Sequence, residues 1–167
     1  SQEWMLHWFI KNFKKNSNKP LIFANFGVTD LALNIMRENC HAIMDLTEAE
    51  EKGWFKKPRT MVNCPAKKTV WIDTDCEVVD NIDGIFDLLE PDMLNMVKDE
   101  PWTKRSGQVL HSMLNPITKI KYINDLPNEY NVLRIQTEVD KDYKGPIRIM
   151  HWTGRKGKMM IDSKKWD

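Results

Sequence analysis

The sequence predicts an α/β domain with a largely parallel sheet. Short apolar runs of strand length recur along the chain, and segments of helical period stand between them. The composition agrees: in 167 residues, 41% are hydrophobic and 29% charged, which suffices to bury one core without a disulfide or a metal staple. The expected organisation is a single domain over residues 1–167.

The first helix is expected around Met5, Trp8, Phe9 and Phe13, which fall near helical spacing while Lys11, Lys14 and Lys15 take other faces. Pro20 closes that zone, and Leu21-Ile22-Phe23-Ala24 has the character of a short, fully buried strand. Thr29 or Asp30 then caps a second helix with Leu33 and Met36 inward, and a further apolar run, Ala42-Ile43-Met44, leads into Asp45. Lys57 to Cys64 is expected to be helical, with Pro58 tolerated in its first turn. Thr69-Val70-Trp71-Ile72 is β-branched and aromatic and predicts a central strand. A helical turn over Gly84 to Leu89, a strand at Leu94 to Val97, a helical face at Val109, Leu110, Met113 and Leu114, and a strand at Ile117 to Ile123 follow. Pro146 to Met150 is the last expected strand, with a Gly- and Lys-rich loop after it. Trp4, Trp8 and Trp71 are expected in the core; Trp102 and Trp152 flank the candidate site described next.

Charge and cysteine usage exclude several function classes. Twenty-five Lys+Arg against 24 Asp+Glu leave a formal +1, without the positive excess that phosphate neutralisation requires, so a dedicated nucleic-acid partner is not expected. The mean hydropathy of −0.55 and the lack of a long uncharged run exclude a membrane span. Cys40, Cys64 and Cys76 are an odd number with no paired spacing, which fits structural thiols in a reducing compartment. With no signal peptide expected, the localisation that follows is cytoplasmic.

Two strings carry chemistry. In Val70 to Val78, VWIDTDCEV, an apolar strand is expected to run into Asp73 and Asp75, whose i, i+2 spacing puts both carboxylates on one side of an extended chain. Ligand sites in open α/β sheets lie beyond the carboxyl ends of strands, and converging carboxylates there repel unless a divalent cation lies between them. In His151 to Lys158, HWTGRKGK, His151 is a candidate metal ligand, Gly154 and Gly157 allow close approach of backbone to a ligand, and Arg155, Lys156 and Lys158 offer cations to phosphate. A nitrogen ligand beside carboxylates favours Mn²⁺ over Mg²⁺. Lys57, at the start of a helix ahead of the Asp-x-Asp string, is a further anion-binding candidate.

The combination resembles the nucleotide-sugar glycosyltransferases of the A-type fold, in particular the glycogenin and family-eight group and the small sugar transferases of bacteria and phages. VWIDTDCEV stands for the Asp-x-Asp motif, HWTGRKGK for the His-x-x-Gly-x-x-Lys motif, and Lys57 for a lysine near the sugar diphosphate. The resemblance implies a Rossmann-like mixed sheet flanked by helices. It also implies Mn²⁺ (or Mg²⁺) on Asp73, Asp75 and His151, and a UDP-sugar whose diphosphate meets Lys57 and the lysine of the last string. The acceptor, a sugar, glycan or protein, is not indicated. Gly157 stands where the family's final lysine is expected, so Lys156 or Lys158 takes that role, Lys158 in preference. Gln108 resembles the glutamine of an Asp-Gln pair facing the sugar, although Gly107 replaces its aspartate. The family also has a base-binding strand ahead of the first helix and a strand and helix where this sequence runs from Asp99 to Gln108. The expectation is therefore that the numbering joins pieces of a longer protein, with breaks before Ser1 and near residues 105–108.

Two other functions fit parts of the pattern. One is a truncated or degenerate domain that binds a nucleotide-sugar without turnover. The other is a phosphatase of the haloacid-dehalogenase type, with Asp73 as nucleophile; that class expects Thr or Val where Glu77 stands.

Overall fold

A computed structural model describes residues 2–51, 56–97 and 123–164. These residues form a mixed α/β structure of helices and small sheets. In order, they run α1 (Leu6–Asn16), β1 (Ile22–Asn25), α2 (Asp30–Asn39), β2 (Ala42–Asp45), α3 (Lys56–Asn63), β3 (Cys76–Val78), β4 (Leu94–Val97), β5 (Ile123–Leu126), β6 (Val132–Leu133), β7 (Ile149–His151) and α4 (Gly154–Lys164).

Helix α1 serves two cores at once. Met5, in the turn preceding it, and Phe9 and Phe13 repeat at i, i+4 and join Trp8 in the larger apolar cluster; Leu6 and Ile10 repeat the same spacing on the adjoining face and meet Ala32 and Met36 of α2. The C-terminal turn carries Lys14 and Lys15, where the helix dipole favours cations. At its last residue, Asn16 Nδ2 donates to the carbonyl of Val78 at 2.7 Å, which ties α1 to the end of β3.

β1 and β2 pair in parallel, with Ile22 opposite Ala42, and α2 is their crossover. Thr29 caps α2 through Oγ1, which accepts from the Ala32 amide, and Glu3 in turn accepts from the Thr29 amide and hydroxyl. Asn25, at the end of β1, is buried and accepts from the amides of Gly27 and Val28, holding a turn in which Gly27 has φ +105°. β1 is only half-buried rather than fully buried as expected, because among the described residues its one ladder partner is β2.

The sheet differs from the single, largely parallel one expected. Among the described residues there are three small sheets: parallel β1-β2, parallel β4-β5, and a mixed sheet in the order β3-β7-β6. The apolar stretch Thr69 to Ile72 is not a strand. Val70 and Ile72 pack against the larger cluster, yet the ladder begins only at Cys76, so Asp73 and Asp75 lie before a short strand rather than after one. The stretch after β7 is likewise not a loop: Gly154, with φ +73°, opens α4, whose Ile161 is fully buried in the larger cluster. Trp8 is buried, Trp71 is half-buried, and Trp4 is 39% exposed, which corrects its expected place in the core. The helical face expected at Val109 to Leu114, the strand expected at Ile117 to Ile123 as far as residue 122, and the expected break near 105–108 lie outside the described residues. No helix among the described residues is long and apolar enough to cross a membrane.

Candidate functional site

The site forms where β3 begins and β7 ends. These strands are antiparallel, with Cys76 opposite His151, so the end of one strand and the start of the other meet at one edge of the three-stranded sheet. The backbone reinforces this junction: the Trp152 amide donates to the carbonyl of Asp75 at 3.0 Å, and the Cys76 amide to the carbonyl of Asp73 at 3.0 Å. Trp152 itself is buried, and its indole N–H donates to Glu77 at 2.9 Å; its ring belongs to the core and does not present a stacking face at the site.

Two ion-pair systems result. His151 Nε2 lies 3.3 Å from Asp75 Oδ1, and Lys158 Nζ lies 4.0 Å from Asp75 Oδ2. Burial alone would raise the carboxyl pKa of Asp75, but the hydrogen bond and charge of His151, with the charge of Lys158, outweigh it and hold the pKa below its ordinary value. The other ring nitrogen of His151, Nδ1, stands 3.1 Å from Asn131 Oδ1. An amide oxygen only accepts, so Nδ1 carries the proton in this pairing. Nε2 then faces the Asp75 carboxylate either as an imidazolium N–H or as a bare lone pair. The second arrangement suits a cation between the two groups, and a histidine oriented through its far nitrogen is the usual form of a metal ligand.

Asp73 is engaged differently. Lys57 Nζ, from the first turn of α3, lies 2.6 and 2.7 Å from its two carboxylate oxygens, and the Trp71 indole N–H donates to Oδ1 at 2.7 Å. Lys57 also lies over the Trp71 ring at 5.7 Å, and that ring stands nearly parallel to Phe26, with centroids 6.1 Å apart.

Lys57, Asp73, Asp75, His151, Thr153 and Lys158 all line one cavity of about 1050 Å³, just above the usual size of small-molecule sites. Phe26 and Trp71 line it as well. Of the residues expected from sequence, the described structure thus brings Asp73, Asp75, His151, Lys57 and Lys158 to one cleft, with Gly154 on its wall. Arg155 and Lys156 are exposed on α4 and are not in that lining, because a helix sends Lys158, one turn beyond Gly154, toward Asp75 and turns Lys156 to solvent. Gly157 is buried near the start of α4 and is not part of that lining. A Cβ there would overlap the carbonyl of Trp152, so the glycine lets α4 close against the preceding backbone. Gln108 and Trp102 lie outside the described residues.

Two residues of the site had little signal in the sequence. Asn131 sits in a polar turn that resembles any other, and Cys76 has the pattern of a small core residue. Neither a protein-family comparison nor a comparison with curated proteins returns a match for this chain.

Proposed function

We propose that the protein is a metal-dependent glycosyltransferase that moves a sugar from a UDP-sugar to an acceptor. The observation that carries this reading is the convergence of two carboxylates, an imidazole and two lysines on one cavity. Such a mixture of signs suits a ligand that is itself a diphosphate bridged to a cation.

Asp75 and His151 would hold the divalent ion with Asp73 beside them, and the imidazole favours Mn²⁺ over Mg²⁺. When bound, the ion supplies Lewis-acid neutralisation of the diphosphate leaving group. Lys57 and Lys158 put ammonium groups on opposite members of the carboxylate pair, where each can transfer from its carboxylate to a phosphate oxygen. Phe26 and Trp71 give the cavity an apolar wall. Gln108 remains the residue proposed to face the sugar.

Titration of the protein with UDP, with and without Mn²⁺, tests this reading. Binding that requires the cation, together with slow release of UDP from UDP-sugars in water, is the expected result. Cation-independent binding, or none, would overturn it. A second reading, nucleotide-sugar binding without turnover, is favoured by the completeness of the Lys57–Asp73–Trp71 cluster, and UDP binding with no release from any UDP-sugar would select it. Phosphate release from an aryl phosphate would point instead to a phosphatase.

Lys57 gives a separate expectation. The side chains of Lys57 and Asp73 are 32% and 30% exposed, so Lys57→Ala should lower the unfolding free energy by under about 1 kcal/mol, as surface pairs do. The same change should weaken UDP binding on the order of tenfold, the worth of one charged hydrogen bond. Urea unfolding and calorimetric titration of one sample would separate the two effects; equal binding by the variant would remove Lys57 from the diphosphate site.

A further inference from the structure

Asp75, Cys76 and His151 each offer one donor atom, and these atoms lie within 4.8 Å of one another. The β3–β7 ladder creates the group: Cys76 and His151 are directly opposed across the strands, and opposed side chains share one face of a sheet. Asp73 is not among the three. Its carboxylate is taken by Lys57 and Trp71.

We infer that Cys76 is the third protein ligand of the cation site, in place of Asp73, and that the site takes a borderline transition ion such as Zn²⁺ or Co²⁺ rather than Mg²⁺. This shares Asp75 and His151 with the glycosyltransferase reading and rests on it for the cation's role, while the donor set stands on the geometry alone. A carboxylate, an imidazole and a thiolate form the mixed O, N and S set that borderline ions prefer, and the thiolate discriminates against hard ions. Three protein donors also leave a fourth tetrahedral position, which the adjoining cavity would supply with a ligand oxygen. Asn131 fixes the His151 ring through Nδ1, so Nε2 is the ligating nitrogen.

On binding, the Sγ–H bond of Cys76 breaks, its proton passes to solvent, and the sulfur lone pair forms the bond to the ion. Burial, together with the charges of Asp73 and Asp75, disfavours the thiolate and pushes the thiol pKa up. A divalent ion reverses the field that opposes the thiolate, as coordinated thiols generally show. Cys40 and Cys64 lie outside the group, and burial pushes the Cys40 thiol up to about 11.

Cobalt(II) alone is a suitable probe, because thiolate ligation gives an intense near-ultraviolet charge-transfer band beside the weak visible bands of the ion. The unaltered protein should show both, and the Cys40→Ser/Cys64→Ser double variant should keep them. Cys76→Ser should lose the charge-transfer band and bind Co²⁺ on the order of 100-fold more weakly. Should Cys76→Ser fail to fold, X-ray absorption of the zinc-loaded double variant decides the matter through a sulfur neighbour at about 2.3 Å. Visible bands without the thiolate band, no Co²⁺ binding, or a band that survives in Cys76→Ser would each overturn the inference. Cation-dependent UDP binding without a thiolate band would leave the glycosyltransferase reading standing. A thiolate band without UDP binding would do the reverse.

Discussion

Asp75→Asn should abolish cation-dependent UDP binding, with a loss of affinity above about 100-fold. Residues that merely support metal ligands are worth 10–100-fold when removed, and Asp75 offers its own carboxylate to the site. The variant keeps the shape of the side chain and loses only its charge, so His151 and Lys158 remain beside a neutral amide. Unchanged binding in calorimetry would sink the assignment of the cation to this edge of the sheet.

The same substitution has a pH signature in EDTA. Because the folded-state pKa of Asp75 lies below its ordinary value of 3.8, ionised Asp75 stabilises the native state above that value, and this contribution is lost as the pH falls through the lower, folded-state pKa. Asp75→Asn lacks this contribution. Urea unfolding between neutral pH and about pH 3 should therefore show a shallower acid decline for the variant than for the unaltered protein. Parallel declines would mean that the pairing with His151 and Lys158 contributes nothing to stability.

Gly157→Ala is the second large expectation, and it is structural. The added Cβ would overlap the carbonyl carbon and oxygen of Trp152, which are backbone atoms and cannot rotate aside. Relief requires α4 to move, yet Ile161 anchors that helix in the larger core with no exposure at all. A destabilisation of about 3 kcal/mol is expected, at the upper end for overpacked sites. Gly154→Ala is the comparator: a Cβ there meets nothing within 4 Å, so only the φ of +73° is unfavourable, at about 1 kcal/mol. Equal effects from the two substitutions, read from urea midpoints at matched slopes, would refute the close approach. Beyond stability, a shifted α4 would carry Lys158 away from Asp75, so UDP binding should weaken in the Gly157 variant even where it is fully folded.

Helices were the legible part of the sequence. The i, i+4 repeats of α1, the Thr29 cap and the Lys57 to Cys64 segment each rest on local rules, and each forms. Strands depend on partners that a sequence does not display. Thr69 to Ile72 has strand composition, yet what it makes is an apolar contact with the core, and Trp71 spends its N–H on Asp73. HWTGRKGK misled in the opposite direction. Two glycines in four residues suggest a loop, but Gly154 supplies the left-handed start of a helix and Gly157 its close packing. The chemical character of the site was legible through Asp73, Asp75, His151 and Lys57 because charged residues beside apolar runs are conspicuous. Asn131 and Cys76 were not, since their significance comes from cross-strand position.

The pairing of Cys76 with His151 makes the site a gauge of strand alignment. Side chains alternate across a sheet with a period of two, so a slip of one residue between β3 and β7 would put the imidazole and the thiol on opposite faces. A slip of two would return them to one face but separate them by about 7 Å along the strand. Only the native alignment assembles the donor group, and an ion that binds it would select that alignment over its neighbours during folding. Ligand chemistry and correct assembly of the sheet would then be the same event, read by the same spectrum.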